Sequence, residues 1–354
     1  MNRVSALIMM LILAGCSLHK PIEVRLSVEL PQEFLEQQMT GETRSLPGQW
    51  WLAFEDEQLN QLMTELFQQN LELTQAVARL EQVEAMARIT RSAESPFLSG
   101  GGNVGRSSQP GLSDDFIGNN QQLSLAAGYE LDLWGKLSAQ SRAAELDLSA
   151  TRQDMQTLYL GLSARLADLY FLAIEQRAQL ALTDQSIASF ADTLLRVENR
   201  YNLGLVPAVD MYQARQSLAG AQAARYLFEA SLGEVEHAIA VLIGRYPERS
   251  PGGSLEQLPG APDLFDAGIP AELISQRPDL QAALQRVEAA DYRVAAAIAD
   301  RFPSISLSGG YGYLRQEVTA GLIKGEFWSL LGNLAMPLVD GGRRRAEVDR
   351  KEAA

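Results

Sequence analysis

Two periodicities alternate along this chain. From Asp56, Leu59, Leu62, Leu66, Leu71 and Leu73, then Ala76, Leu80, Val83 and Ala87, apolar positions recur mostly at spacings of three and four. That spacing predicts an amphipathic helix. Pro96 disfavours helical geometry at Ser95, so the helix is expected to end near Glu94. Beyond it the glycines Gly100, Gly101, Gly102 and Gly105 break any helix, and the period falls to two. Leu123, Leu125, Ala127, Tyr129, Leu131 and Leu133 alternate with Ser124, Ala126, Gly128, Glu130 and Asp132. One face is apolar and the other small or polar, so 96–134 predicts a β-hairpin. From Gly135 to Asn202 there is no proline, and Leu158, Leu162, Leu166, Leu169 and Ala173 share one face. A helix over 135–203 would be about 100 Å long, a coiled-coil length. Its alanines, among them Ala139, Ala143, Ala150 and Ala167, allow close packing. Gly204 and Pro207 stop it, and a second helix is expected over 208–245.

The pattern then repeats. Pro247, Pro251, Pro259, Pro262 and Pro270 make an irregular crossing. A helix over 279–300 starts beside Pro278. A second hairpin is expected over 303–340, where Ile305, Leu307, Tyr311 and Tyr313, then Trp328, Leu330, Leu334, Met336 and Leu338, keep the period of two. Ala78–Ala85 matches Ala282–Ala289 at leucine, valine, glutamate and alanine. Two internal repeats, 56–245 and 246–354, therefore follow one order of helix, hairpin and helix. The second ends just as its last helix begins.

Composition narrows the class. The chain has 354 residues, a net charge of −14 and 21% charged residues. Nucleic acid is excluded as a partner, since phosphate binding needs clustered Lys and Arg. No segment after residue 15 approaches the run of about 18 apolar residues that a membrane-spanning helix needs. Cys16 is the sole cysteine, so no internal disulfide or cysteine-rich metal site is expected. No catalytic, metal or phosphate motif appears, and no enzyme or cofactor is expected. His19 falls in the N-terminal tether, while His237 with Glu234 and Glu236 reads as a solvated helix face. Arg343, Arg344 and Arg345 read as a solvated helix start.

Residues 1–15 form a short basic and apolar leader. Leu13-Ala14-Gly15-Cys16 resembles the lipobox of bacterial lipoproteins. That resemblance implies cleavage between Gly15 and Cys16, with diacylglycerol on the Cys16 thiol and an acyl group on its nitrogen. Ser17, being non-acidic, implies sorting to the outer membrane. Residues 16–55 are then a lipid-anchored periplasmic tether.

Four strands with one apolar face suit a membrane barrel. Open edges are not tolerated in lipid and the smallest barrels have about eight strands, so the chain must oligomerise. Here the sequence resembles the outer-membrane factor, TolC-like, family of tripartite efflux pumps, in its lipoprotein branch. Trp51–Phe54 with Asp56 and Leu59, Tyr129–Lys136, Arg277–Leu280, Phe302-Pro303 and Met336–Arg343 carry the resemblance. It implies an α+β membrane protein: a homotrimer whose strands make a twelve-stranded outer-membrane barrel, continuous with a periplasmic coiled-coil tunnel of very long helical hairpins. It implies passive efflux, a periplasmic adaptor protein and an inner-membrane pump of the resistance-nodulation-division type. The turn with Gly204, Leu205, Val206, Pro207 and Asp210 resembles the tip where the adaptor docks.

Family members continue for about another hundred residues, so the second repeat is expected to be truncated and the polypeptide alone not to seal a gated channel. A periplasmic structural lipoprotein without a pore, and an outer-membrane component of type I secretion, are the alternatives.

Overall fold

The computed structural model describes residues 19, 48–109, 116–247, 274, 276–318 and 321–354. A short 3-10 turn, Trp50–Phe54, precedes helices α1 (Glu57–Gln69) and α2 (Leu71–Ser92). Strands β1 (Phe97–Gln109) and β2 (Phe116–Leu131) follow, then helices α3 (Lys136–Asn202) and α4 (Ala208–Leu242). The second repeat supplies α5 (Pro278–Ala299), β3 (Ser304–Val318), β4 (Gly321–Ala335) and α6 (Arg343–Glu352). The elements fall where the two periodicities put them, with two differences. The strands stop at Leu131 and Ala335, so Leu133, Met336 and Leu338 lie beyond the sheet. The first helix is also broken.

Its break is at Asn70, which has extended backbone (ψ 128°). The Asn70 Oδ1 accepts from the Leu73 N–H and caps α2, while Nδ2 donates to the Leu242 carbonyl at 2.8 Å. The side chain thus satisfies backbone groups at two helix ends at once, which offsets the interruption.

The chain divides into two compact units. One holds Leu30–Arg79 and Asp154–Pro278. Its core joins Leu59, Met63 and Leu66 of α1, Leu162, Leu166, Tyr170 and Ile174 of α3, and Ile239 and Ile243 at the end of α4. One stretch of α3 is long and apolar enough by composition to cross a membrane, contrary to the expectation from run length. Within this unit the helix's leucines have a different use: Leu162 and Leu166 are buried in the core. Asp56 caps α1 through Oδ1, which accepts from the Gln58 and Leu59 N–H groups. Its Oδ2 accepts from the buried Tyr170 hydroxyl at 2.6 Å. Burial and that bond both push the Tyr170 hydroxyl well above its ordinary range. Trp50 Nε1 donates to Ser163 Oγ at 3.1 Å. Glu236 is buried and accepts from Arg177 at 2.8 Å, so only Glu234 and His237 of that trio lie on an exposed face. Gly244 closes α4 with φ +78°, and a Cβ there would lie 2.4 Å from the Gln69 carbonyl oxygen.

The other unit holds Met1–Glu29, Leu80–Gln153 and Asp279–Ala354. Its four strands form one antiparallel sheet in the order β1-β2-β3-β4, so the two hairpins of the two repeats are joined by β2 and β3. Beside it Ala143 and Leu146 of α3 pack on Ala289 and Tyr292 of α5.

Candidate functional site

Cross-strand partners project on one face, so the register sorts the sheet's side chains. Leu98, Leu123, Leu125, Tyr129, Leu131, Ile305, Leu307, Tyr311, Tyr313, Trp328, Leu330 and Leu334 share one face. Ser99, Asn103, Gln122, Ser124, Ser306, Ser308, Gly310 and Ser329 share the other. An antiparallel sheet over a soluble core would cover the apolar face. Here Trp328 is 78% exposed, Leu330 74% and Leu123 70%, and among the described strand residues only the glycines Gly118, Gly128 and Gly312 are buried. Among the described residues the sheet therefore has a bare apolar face, a bare polar face, and two edge strands, β1 and β4.

Two aromatic rings interrupt the polar face, each lying over a glycine on the neighbouring strand. A Cβ on Gly128 would sit 2.4 Å from the Phe97 ring. A Cβ on Gly312 would sit 2.5 Å from the Leu123 carbonyl oxygen and 2.7 Å from the Phe327 ring. Aromatic rings over strand glycines restore the packing that a missing side chain forfeits.

Where strands meet helices, the motifs singled out in the sequence converge. Trp134 stacks on Phe302, with centroids 5.2 Å apart, and its Nε1 donates to the Pro303 carbonyl at 2.6 Å. Asp132 accepts from the Leu137 and Ser138 N–H groups and opens α3. Asp300 receives Lys136 Nζ at 2.6 Å and Arg344 Nε at 2.9 Å. Burial raises the Asp300 carboxyl, but these two bonds outweigh it and hold it below the usual carboxylate range. Arg344 also reaches Asp340, so of the three arginines at the α6 start it is tied down, while Arg343 and Arg345 are exposed.

The predicted docking turn is a helix-to-helix reversal. Gly204 has φ +73°, a conformation that costs little only for glycine, and the Leu205 N–H closes back onto the Arg200 carbonyl. Pro207 precedes α4 and Asp210 lies in its first turn, where a carboxylate complements the helix dipole. Val206 is half-buried, whereas Leu203, Leu205, Val209 and Tyr212 are exposed and form an apolar cap on the turn. Gly15 and Cys16, the predicted cleavage and lipid sites, lie outside the described residues. Sequence reasoning missed His19, whose Nε2 lies 2.6 Å from the buried Asp291 Oδ1 of α5. No periodicity signals that pairing.

The class that these elements define is an α+β protein with very long helices and a four-stranded antiparallel sheet whose two faces differ in polarity. The chain matches the outer membrane efflux protein family over residues 62–245 and 269–354, more than half its length, and belongs to that family. It is 28% identical over 316 residues to the probable efflux pump outer membrane protein SepC of Pseudomonas putida, covering 87% of this chain and 65% of the relative. It is 25% identical over 346 residues to the cation efflux system protein CusC of Escherichia coli, covering 97% of this chain and 75% of the relative. Its fold superposes on the CmeC outer membrane channel of Campylobacter jejuni with a TM-score of 0.83 at 22% identity, covering 96% of this chain and 74% of that one.

Proposed function

We propose that this chain is a subunit of an outer-membrane exit duct for efflux, in which three copies pool their strands into a twelve-stranded barrel. The observation that carries the reading is the sheet whose faces are bare and whose edges are unpaired among the described residues. In lipid every backbone N–H and C=O needs a partner, so β1 and β4 must be covered by other copies. The apolar face then meets lipid and the Ser/Asn/Gln face lines water. From the Leu131 row to the Leu123 row the strands rise about 20 Å at the usual barrel tilt, near the height of an outer-membrane apolar band. Tyr311, Tyr313 and Trp328 sit at its far end, where aromatic girdles belong. The long helices α3 and α4 suit the wall of a periplasmic tunnel. Passage is passive, since a water-lined duct couples to no energy source.

The partners follow from the same reading. The apolar cap at Leu203, Leu205 and Val209 suits an adaptor protein, which links the duct to an inner-membrane pump. Leu205→Asp is expected to weaken adaptor cross-linking and leave conductance intact; unchanged cross-linking removes the turn from the interface. Diacylglycerol and an N-acyl chain on Cys16 anchor the mature chain, because several acyl chains hold a body in the membrane where one does not.

Planar-bilayer conductance of the acylated oligomer tests the duct, and intact mass of the same sample tests the anchor. Discrete pore currents and added acyl mass lost in Cys16→Ala are expected. Absence of currents from an oligomeric sample overturns the duct in favour of a periplasmic structural lipoprotein.

A further inference from the structure

The turn end of the apolar sheet face carries an arrangement that a duct does not require. Val104, Gln121, Arg315 and Lys324 form one cross-strand row. Arg315 and Lys324 are direct partners on β3 and β4 and project on the same face. Like charges in that relation repel, so the pairing disfavours the sheet unless an anion lies between them. Glu317 and Glu326 lie two residues along β3 and β4 from the pair on the same face, and each bonds to a neutral donor rather than to either cation. Glu317 Oε2 accepts from the Asn119 backbone N–H at 3.0 Å and its side-chain amide at 2.8 Å. Glu326 accepts from the Tyr311 hydroxyl. Arg315 and Lys324 form no ion pair among the described residues.

The two cations line a groove together with Val104, Gln121, Leu123, Tyr313 and Leu322. We propose that this groove binds the phosphate-bearing headgroup of an outer-leaflet lipid, with the lipid's acyl chains running down the apolar face. The proposal rests on the reading that the sheet lies in the membrane. Arg315 offers a planar fork that matches phosphate oxygens and Lys324 a point charge, both charge-assisted donors. The basic row lies two residues, about 7 Å, beyond Tyr313 and four residues, about 13 Å, beyond Tyr311 and Trp328. Interfacial aromatics sit at the headgroup boundary, so the step outward reaches phosphate level. The groove is continuous with the bare apolar face, so headgroup and chains have adjoining surfaces of matching chemistry.

The test uses the full chain, purified as its oligomer in neutral detergent. Thermal unfolding is followed alone, with a bis-phosphorylated lipid A, with its dephosphorylated form, and with inorganic phosphate. The wild type is compared with Arg315→Gln/Lys324→Gln. The phosphorylated lipid is expected to raise the wild-type midpoint by several degrees more than the dephosphorylated one, and added salt to shrink the difference. The double variant is expected to lose that difference and, without lipid, to unfold no lower than wild type, since the cation repulsion is gone. Equal stabilisation by both lipids, or equal stabilisation of variant and wild type, overturns the site. Stabilisation by inorganic phosphate alone, as large as by the lipid, overturns the lipid assignment. A double variant less stable than wild type without lipid shows a structural role and also overturns it. Conductance of the same samples separates the two readings. Intact pores with no phosphate-dependent shift refute the groove alone, and absent wild-type pores refute the duct.

Discussion

Asp56 divides its two carboxylate oxygens between a helix end and a buried phenol. Tyr170→Phe removes a charge-assisted bond and leaves the carboxylate with fewer partners, at a cost of about 1.5–3 kcal/mol. Asp56→Ala also removes the α1 cap, adding about 1 kcal/mol; urea unfolding of the two variants is expected to rank them in that order. Asp300 supplies a pH dependence. Its folded value lies below its unfolded one, so the stability it contributes is fully present above about pH 4 and is lost as pH falls through the folded value. Asp300→Asn is expected to lower stability at neutral pH and to flatten the loss as pH falls below about 4; an unchanged acid slope places that loss on other groups. Neither partnership was legible in the sequence. Asp56 and Tyr170 are 114 positions apart, and Asp300 meets Lys136 across 164. Spacing rules act within one element, whereas such pairs arise from packing.

Individual helices and strands were readable because each buries or exposes one side in a fixed period. The long α3 showed itself through the absence of proline and the line from Leu158 to Ala173, and the strands through alternation. The break at Asn70 escaped, because the group that its side chain bonds, the Leu242 carbonyl, is far away in the chain. The close approach at Gly312 escaped for a similar reason: one sequence shows a glycine in a strand but not the Leu123 carbonyl beside it. Gly312→Val places a Cβ within 2.5 Å of that backbone oxygen, with no flexible atom to yield. The β2–β3 pairing that joins the repeats is expected to open, read as loss of the oligomer band on unboiled gels. Gly325→Val, which meets nothing within 4 Å, is expected to retain it.

For the whole molecule, the two sheet faces should answer differently to the same charge. Leu330→Arg puts a cation on the apolar face at mid-height, with an expected cost of about 2–4 kcal/mol in membrane folding. Ser329→Arg, its neighbour on the polar face, is expected to fold and to shift pore selectivity toward anions. Equal folding of both variants in lipid vesicles would show that neither face meets lipid. This two-sidedness was legible from alternation alone. The His19–Asp291 contact was not, since residues around His19 carry no period. The unpaired edges of β1 and β4 have a genetic consequence. In the proposed barrel a chain damaged at one edge would still offer its intact edge to healthy copies, entering assemblies and leaving them with an open seam. Alleles that break an edge strand are therefore expected to be dominant over a wild-type copy expressed beside them, whereas alleles that stop the chain from folding at all are expected to be recessive.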